Sequence, residues 1–185
     1  TTANNNTAMG YQSGYNNDTG ANITAVGSSA LLANTTGNNN TALGQSALRL
    51  NTTANNNTAL GQNALYSNIV GGANTGVGQG ALQNNTASSN TAVGSASLSV
   101  NTTGSENTAV GKSALAASTT ASYNVAVGEG AGVAITTGNY NTAIGRSALT
   151  TLTTNAANTA VGGSALAANT AANNTAVGYR ALYSN

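Results

Sequence analysis

Residues 90–115 read NTAVGSASLSVNTTGSENTAVGKSAL, and the pentapeptide Asn-Thr-Ala-Val-Gly that opens the stretch at Asn90 returns at Asn107, 17 positions later. Followed outward, the motif closes on Gly10, Gly27, Gly44, Gly61, Gly78, Gly94, Gly111, Gly128, Gly145, Gly162 and Gly178, with eight spacings of 17 residues and two of 16. Ten of the eleven copies keep the Asn, Ile23 being the exception, and ten keep the Thr, Val125 being the exception. Four residues after the glycine stands a leucine in nine copies, among them Leu98 and Leu115, with Gly14 and Gly132 as departures. Self-similarity at a fixed short period marks a repeat architecture, in which each unit buries its apolar residues only by stacking on its neighbours.

Within one unit the pentapeptide has the alternation of a short strand, Thr and Val pointing one way, Ala and Gly the other. A second short segment, such as Gln45 to Leu48, follows after one or two polar residues. Asn-Thr-Thr-Gly or a variant, as at Asn34 and Asn101, then joins one unit to the next with residues that suit turns and positive φ. Asn, Thr and Gly recur too often, and no 3.6-residue apolar stripe persists, so helices are not expected. The reading is an all-β fold: a parallel β-solenoid of eleven coils, each with two short strands. Residues 1–185 form one domain. Val93 with Leu98, and Val110 with Leu115, are expected to fill the narrow interior. The Ala and Gly side, including Gly27, Gly44, Gly61, Gly94, Gly111 and Gly145, is expected to let neighbouring chains approach closely.

Stacking places like residues over like. Asn40, Asn57 and Asn74 should form one amide ladder, and Asn17, Asn34, Asn51 and Asn68 a second at the turn, donating and accepting along the axis as in other cross-β assemblies. One coil carries too little apolar surface to offset its own ordering, so bonding between coils and packing against other chains should supply the rest. Thr1 and Asn185 fall at the same turn phase and no atypical capping unit is present, so the array is expected to be an uncapped segment of a longer fibre, or one covered by neighbouring chains.

Composition removes most chemistry. Ala, Asn, Thr and Gly supply 119 of 185 residues, against four basic and three acidic residues and no His, Cys, Pro, Trp or Phe. Metal sites need His, Cys or clustered carboxylates, and Asp18, Glu106 and Glu129 are scattered. General acid and base work loses its usual side chains, and a Ser or Thr nucleophile would have no histidine to activate it. No catalytic residue, metal site or cofactor site is therefore expected. The net charge of +1 without a basic run lacks the footprint of nucleic-acid binding, and no apolar run reaches the roughly 18 residues of a membrane-spanning helix.

The few charged and aromatic residues can be placed by register. Lys112, Glu129 and Arg146 each follow the motif glycine in three consecutive coils and should form a plus-minus-plus column on an exposed face. Its first reading is a surface salt-bridge ladder worth about 0–1 kcal/mol per pair; its second is a binding patch. Tyr123 and Tyr140 share the position five before the glycine, with Glu106 one coil earlier. Packing of the two rings across coils is favoured over contact with a sugar.

The recurring Asn-Thr-Ala-Val-Gly, as at Asn90 to Gly94, Asn107 to Gly111 and Asn158 to Gly162, resembles the Ser-Val-Ala-Ile-Gly motif of YadA-like heads in trimeric autotransporter adhesins. It is also similar to Asn-Thr-Ala-x-Gly-x-x-Ala-Leu arrays of phage tail fibres. The resemblance covers all eleven units. It implies a left-handed β-roll, a homotrimer around a fibre axis, an extracellular or virion location, and attachment to a glycan or protein receptor.

Three functions of different kinds follow as expectations. The first is a structural and adhesive fibre segment, a stiff spacer about 53 Å long at roughly 4.8 Å per coil. The second is an ice-binding solenoid using the column Thr7, Thr24, Thr41, Thr58, Thr75, Thr91 and Thr108, against which stands a bulky Asn beside each Thr. The third, a glycan-degrading fibre enzyme, needs a carboxylate pair, and Glu106 and Glu129 occupy different positions of the unit.

Overall fold

A computed structural model describes residues 3–184; Thr1 and Asn185, on which the turn phase of the two ends was read, lie outside the described residues. Eleven strands of three residues recur once per unit: β1 Thr7–Met9, β2 Thr24–Val26, β3 Thr41–Leu43, β4 Thr58–Leu60, β5 Thr75–Val77, β6 Thr91–Val93, β7 Thr108–Val110, β8 Val125–Val127, β9 Thr142–Ile144, β10 Thr159–Val161 and β11 Thr175–Val177. They form a single parallel sheet in the order β1 to β11. Thr pairs with Thr and Ala with Ala along it, as in Thr91↔Thr108 and Ala92↔Ala109. The chain is an all-β solenoid whose units stack in the register that the repeat dictates.

Each coil contains one strand, where two were expected. The second segment is a curl, because two of its residues are left-handed: in the seventh coil Ser113 has φ 56° and Leu115 φ 51°, and Glu106 ahead of the strand has φ 58°. Alternating left-handed residues prevent a straight strand, yet the bonding between coils runs on through the curl. Ser113 N donates to Ser95 O at 3.0 Å in the coil before, and Leu115 N to Ala131 O at 3.0 Å in the coil after. Asn34, Asn68 and their equivalents close the curl by donating back to the leucine carbonyl, as Asn34 N does to Leu31 O at 3.3 Å.

The leucines fill the interior: Leu98 is 0 % and Leu115 1 % exposed. The expectation for valine is corrected. Val93 and Val110 stand on the outer face, half-buried, and the middle strand residue, Ala92 or Ala109, points inward with nothing exposed. The interior is too narrow for anything larger. At the one strand with glycine in that place, a methyl on Gly76 would already lie 3.2 Å from Ala81 O and 3.3 Å from Leu65 Cγ. A second buried alanine, Ala47 in the third coil, completes the core there with Leu48, Asn40 and Asn51.

The Gly14 and Gly132 departures now have a reason. Both have φ 58°, the conformation that leucine adopts at the other units against its preference. The space left by each missing leucine is taken by an isoleucine standing where an asparagine is usual. Ile135 Cδ1 and Leu115 Cδ2 each lie 3.0 Å from where a Cβ on Gly132 would be, and Ile23 Cδ1 lies 3.9 Å from the same point on Gly14. Gly132→Leu alone should therefore overpack and cost about 1–3 kcal/mol. Ile135→Asn alone should also destabilise, by leaving a cavity. The double variant restores the common unit, so the two changes should couple favourably by about 1–3 kcal/mol in a four-member denaturation cycle.

Candidate interaction surface

Two columns, mostly of asparagine, run along the interior edge; Ile23 interrupts the strand column, and Ser118, Ile135 and Leu152 interrupt the turn column. In the turn column the ladder is amide to amide, as expected: Asn34 Nδ2 donates to Asn17 Oδ1 at 2.7 Å and Asn51 Nδ2 to Asn34 Oδ1 at 2.7 Å. Asn68 continues it to Asn51 Oδ1 at 3.5 Å. In the strand column the amide serves the backbone instead. The N–H of Asn57 donates to Asn40 Oδ1 at 3.0 Å and that of Asn74 to Asn57 Oδ1 at 2.9 Å. The amino groups of Asn40 and Asn57 donate to Ala54 O at 2.7 Å and Gly71 O at 2.9 Å. At Asn107, Asn124, Asn158 and Asn174 amide-to-amide contacts of 3.2–3.3 Å to the asparagine one coil back join this pattern. Apart from Asn101 Oδ1, which has no hydrogen-bond partner, the buried amides of the two columns are satisfied, so they hold the coils together and are not offered to a ligand.

The motif glycines abut one another along the axis. A Cβ on Gly27, Gly44, Gly61, Gly94, Gly111 or Gly145 would lie 2.5–2.7 Å from backbone atoms of the motif glycine in the next coil. Their φ values of 125–137° belong to glycine alone. The expectation that this side lets neighbouring chains approach is corrected for alanine, since Ala92 and Ala109 are fully buried in the chain's own interior, whereas the motif glycines are half-buried and abut the next coil.

What faces outward from the sheet is a pair of ranks. The first strand residue is Thr in every coil but the eighth, where Val125 replaces it; the third is aliphatic throughout, from Met9 through Leu43, Leu60, Val93 and Ile144 to Val177. Met9 is 64 %, Leu43 43 % and Val177 71 % exposed in the single chain. None of the seven charged residues lies in a strand. The strand threonine hydroxyls make no hydrogen bond among the described residues, whereas those of the turns bridge coils, as Thr102 Oγ1 does to Thr119 O at 2.9 Å. The asparagines beside the threonines point inward. The objection that a bulky Asn breaks up the threonine rank therefore falls.

Lys112, Glu129 and Arg146 line up as expected: all three are exposed and occupy one position on successive coils, where Gly130 N donates to Lys112 O and Ser147 N to Glu129 O, both at 3.0 Å. Among the described residues no charged nitrogen comes within 4.0 Å of a carboxylate oxygen, so the column is not closed into salt bridges. On the other flank of the same strands, the rings of Tyr123 and Tyr140 stack with centroids 5.0 Å apart and planes 4° from parallel. Each ring thereby loses one face to the other, which supports packing across coils. Register also explains a pair that the sequence reading passed over: Arg49 and Tyr66 both follow the core leucine, one coil apart, and Arg49 Nη1 donates to Tyr66 Oη at 2.6 Å. Comparison of the chain with protein-family models, curated proteins and solved structures returns no match.

Proposed function

We propose that the chain is a structural and adhesive segment of an extracellular trimeric fibre, a stiff spacer whose chains associate through the outer face of the sheet. The observation that carries this reading is the uncharged double rank of Thr and aliphatic residues, which continues over eleven strands and, at about 4.8 Å per coil, runs about 48 Å. An apolar strip of that length on a soluble chain favours covering by another surface, and a copy of the same chain presents the same period. Lys112, Glu129 and Arg146, with Tyr123 and Tyr140 on the opposite flank, remain at the margins of the strip as an attachment surface for a glycan or protein receptor.

Sedimentation of the purified chain is the test. A trimer is expected, and Val93→Lys with Val110→Lys, which puts two cations into the strip, should yield a monomer with an unchanged far-ultraviolet dichroism spectrum. A wild-type chain that sediments as a monomer overturns the reading. One observation favours a second use of the same face: its regularly spaced threonine hydroxyls have no hydrogen-bond partner among the described residues. An ice-binding solenoid would present such a rank uncovered, and thermal hysteresis of a monomeric chain would select that alternative.

A further inference from the structure

The turn column changes composition at Ser118. Below it, Asn34, Asn51 and Asn101 each use the side-chain amino group twice. It donates to the Oδ1 of the asparagine one coil back, as Asn101 does to Asn85 at 2.7 Å, and to a carbonyl three residues on, Gly104 O at 2.8 Å in that coil. Above it the column reads Ile135 and Leu152, both fully buried. Ser118 sits between the amide ladder and the hydrocarbon, and it is itself 0 % exposed.

Three polar groups at this rung are incompletely bonded. Asn101 Oδ1 and Ser118 Oγ are buried with no hydrogen-bond partner. Asn101 Oδ1 is held as the other ladder oxygens are, 2.6 Å from an ideal Cβ on Gly104, where Asn68 Oδ1 lies 2.6 Å from the same point on Gly71. It therefore aims at the next rung, where an amide nitrogen normally stands. The third group is Ala121 O. Its equivalents each accept from two asparagine side chains: Gly71 O from Asn57 at 2.9 Å and Asn68 at 2.7 Å, Gly104 O from Asn90 and Asn101, both at 2.8 Å. Ala121 O accepts from Asn107 alone, at 2.7 Å, which leaves one lone pair.

We infer that one water molecule is built into the roll at this rung and does the work of the missing carboxamide nitrogen. It donates one hydrogen to Asn101 Oδ1 and the other to Ala121 O, and accepts from the Ser118 hydroxyl. Three hydrogen bonds are typical of a buried water, and a carboxamide exceeds a hydroxymethyl by two heavy atoms, near the roughly 30 Å³ that a water occupies in the liquid. The site takes water and no larger ligand, since the space freed at Ser118 is only the two heavy atoms by which a carboxamide exceeds a hydroxymethyl. Its consequence is that a polar ladder can end against hydrocarbon without an orphaned oxygen.

Crystal structures of the wild-type chain and of Ser118→Asn test this. In the wild type a single solvent peak should lie within hydrogen-bond distance of all three groups. In the variant Nδ2 should replace it, and the thermal midpoint should rise by about 2–4 °C, the shift that roughly 1 kcal/mol produces at this size. A wild-type rung in which Ser118 Oγ bonds Asn101 Oδ1 directly with no solvent peak overturns the proposal, as does a variant in which the peak persists beside the new amide. If the variant does not fold, water cross-peaks to the Ser118 and Ala121 amide protons in the wild type decide it: long-lived contacts uphold the site, and their absence removes it.

Discussion

Gly94→Ala is expected to break the array in the middle. The added methyl would lie 2.5 Å from Gly111 O, 2.6 Å from Gly111 C and 2.9 Å from Lys112 N, all backbone atoms fixed by the sheet, and φ at Gly94 is +131°. Neither the clash nor the dihedral strain can be relieved by a side-chain rotation, so the loss should be about 4 kcal/mol or more, at the upper end of what single substitutions do. Because each coil touches only its neighbours, the damage should be local. Amide hydrogen exchange should accelerate in β5 to β7 while β2 and β10 stay protected. Gly178→Ala separates the two causes. Its φ is +128°, but the nearest atom to its methyl would be Ala181 Cβ at 3.8 Å, so it should cost only the strain, about 1–3 kcal/mol.

Asn57→Ala should be nearly as damaging, for an electrostatic reason. Asn57 is fully buried, and its side chain accepts from the Asn74 N–H and donates to Gly71 O. Gly71 O keeps Asn68 as a donor, but the Asn74 N–H is left without its acceptor in an interior that water does not reach. An orphaned buried donor costs about 1–3 kcal/mol, and the void left by the amide adds to it. A total near 3 kcal/mol is expected by denaturant unfolding. Asn56→Gly is the control: Asn56 is exposed with φ 61°, a conformation that glycine adopts freely, so its replacement should leave stability almost unchanged. A large effect at Asn56 and a small one at Asn57 would contradict the account of what binds the coils.

How far the interaction surface could be read in advance turned on one strand. The strand alternation places threonine and valine on one face and alanine on the other, as they stand in the structure, but the greater hydrophobicity of valine points the wrong face inward. The repeats held a better signal. The middle strand residue is alanine in ten units and glycine in one, Gly76 of the fifth, whereas the third varies among Met, Val, Leu and Ile. A position that never exceeds alanine is one that packing constrains, and one that accepts any aliphatic residue is loosely enclosed. The columns of Lys112, Glu129 and Arg146 and of Tyr123 and Tyr140 needed no such judgement, since register alone places them.

The sequence by itself determined the period, the parallel in-register stacking, the leucine core and the two asparagine columns, because a repeat that closes one coil obliges like residues to lie over like. The tertiary structure alone decided which face of the strand looks inward, that the second segment curls through left-handed residues, and that the strand asparagines bond backbone where amide-to-amide bonding was expected. Those outcomes depend on the width of the roll and on where each carbonyl points once the coil is closed. Both are set by the joint packing of Leu, two Ala and two Asn in one cross-section, which no single unit read along the chain contains.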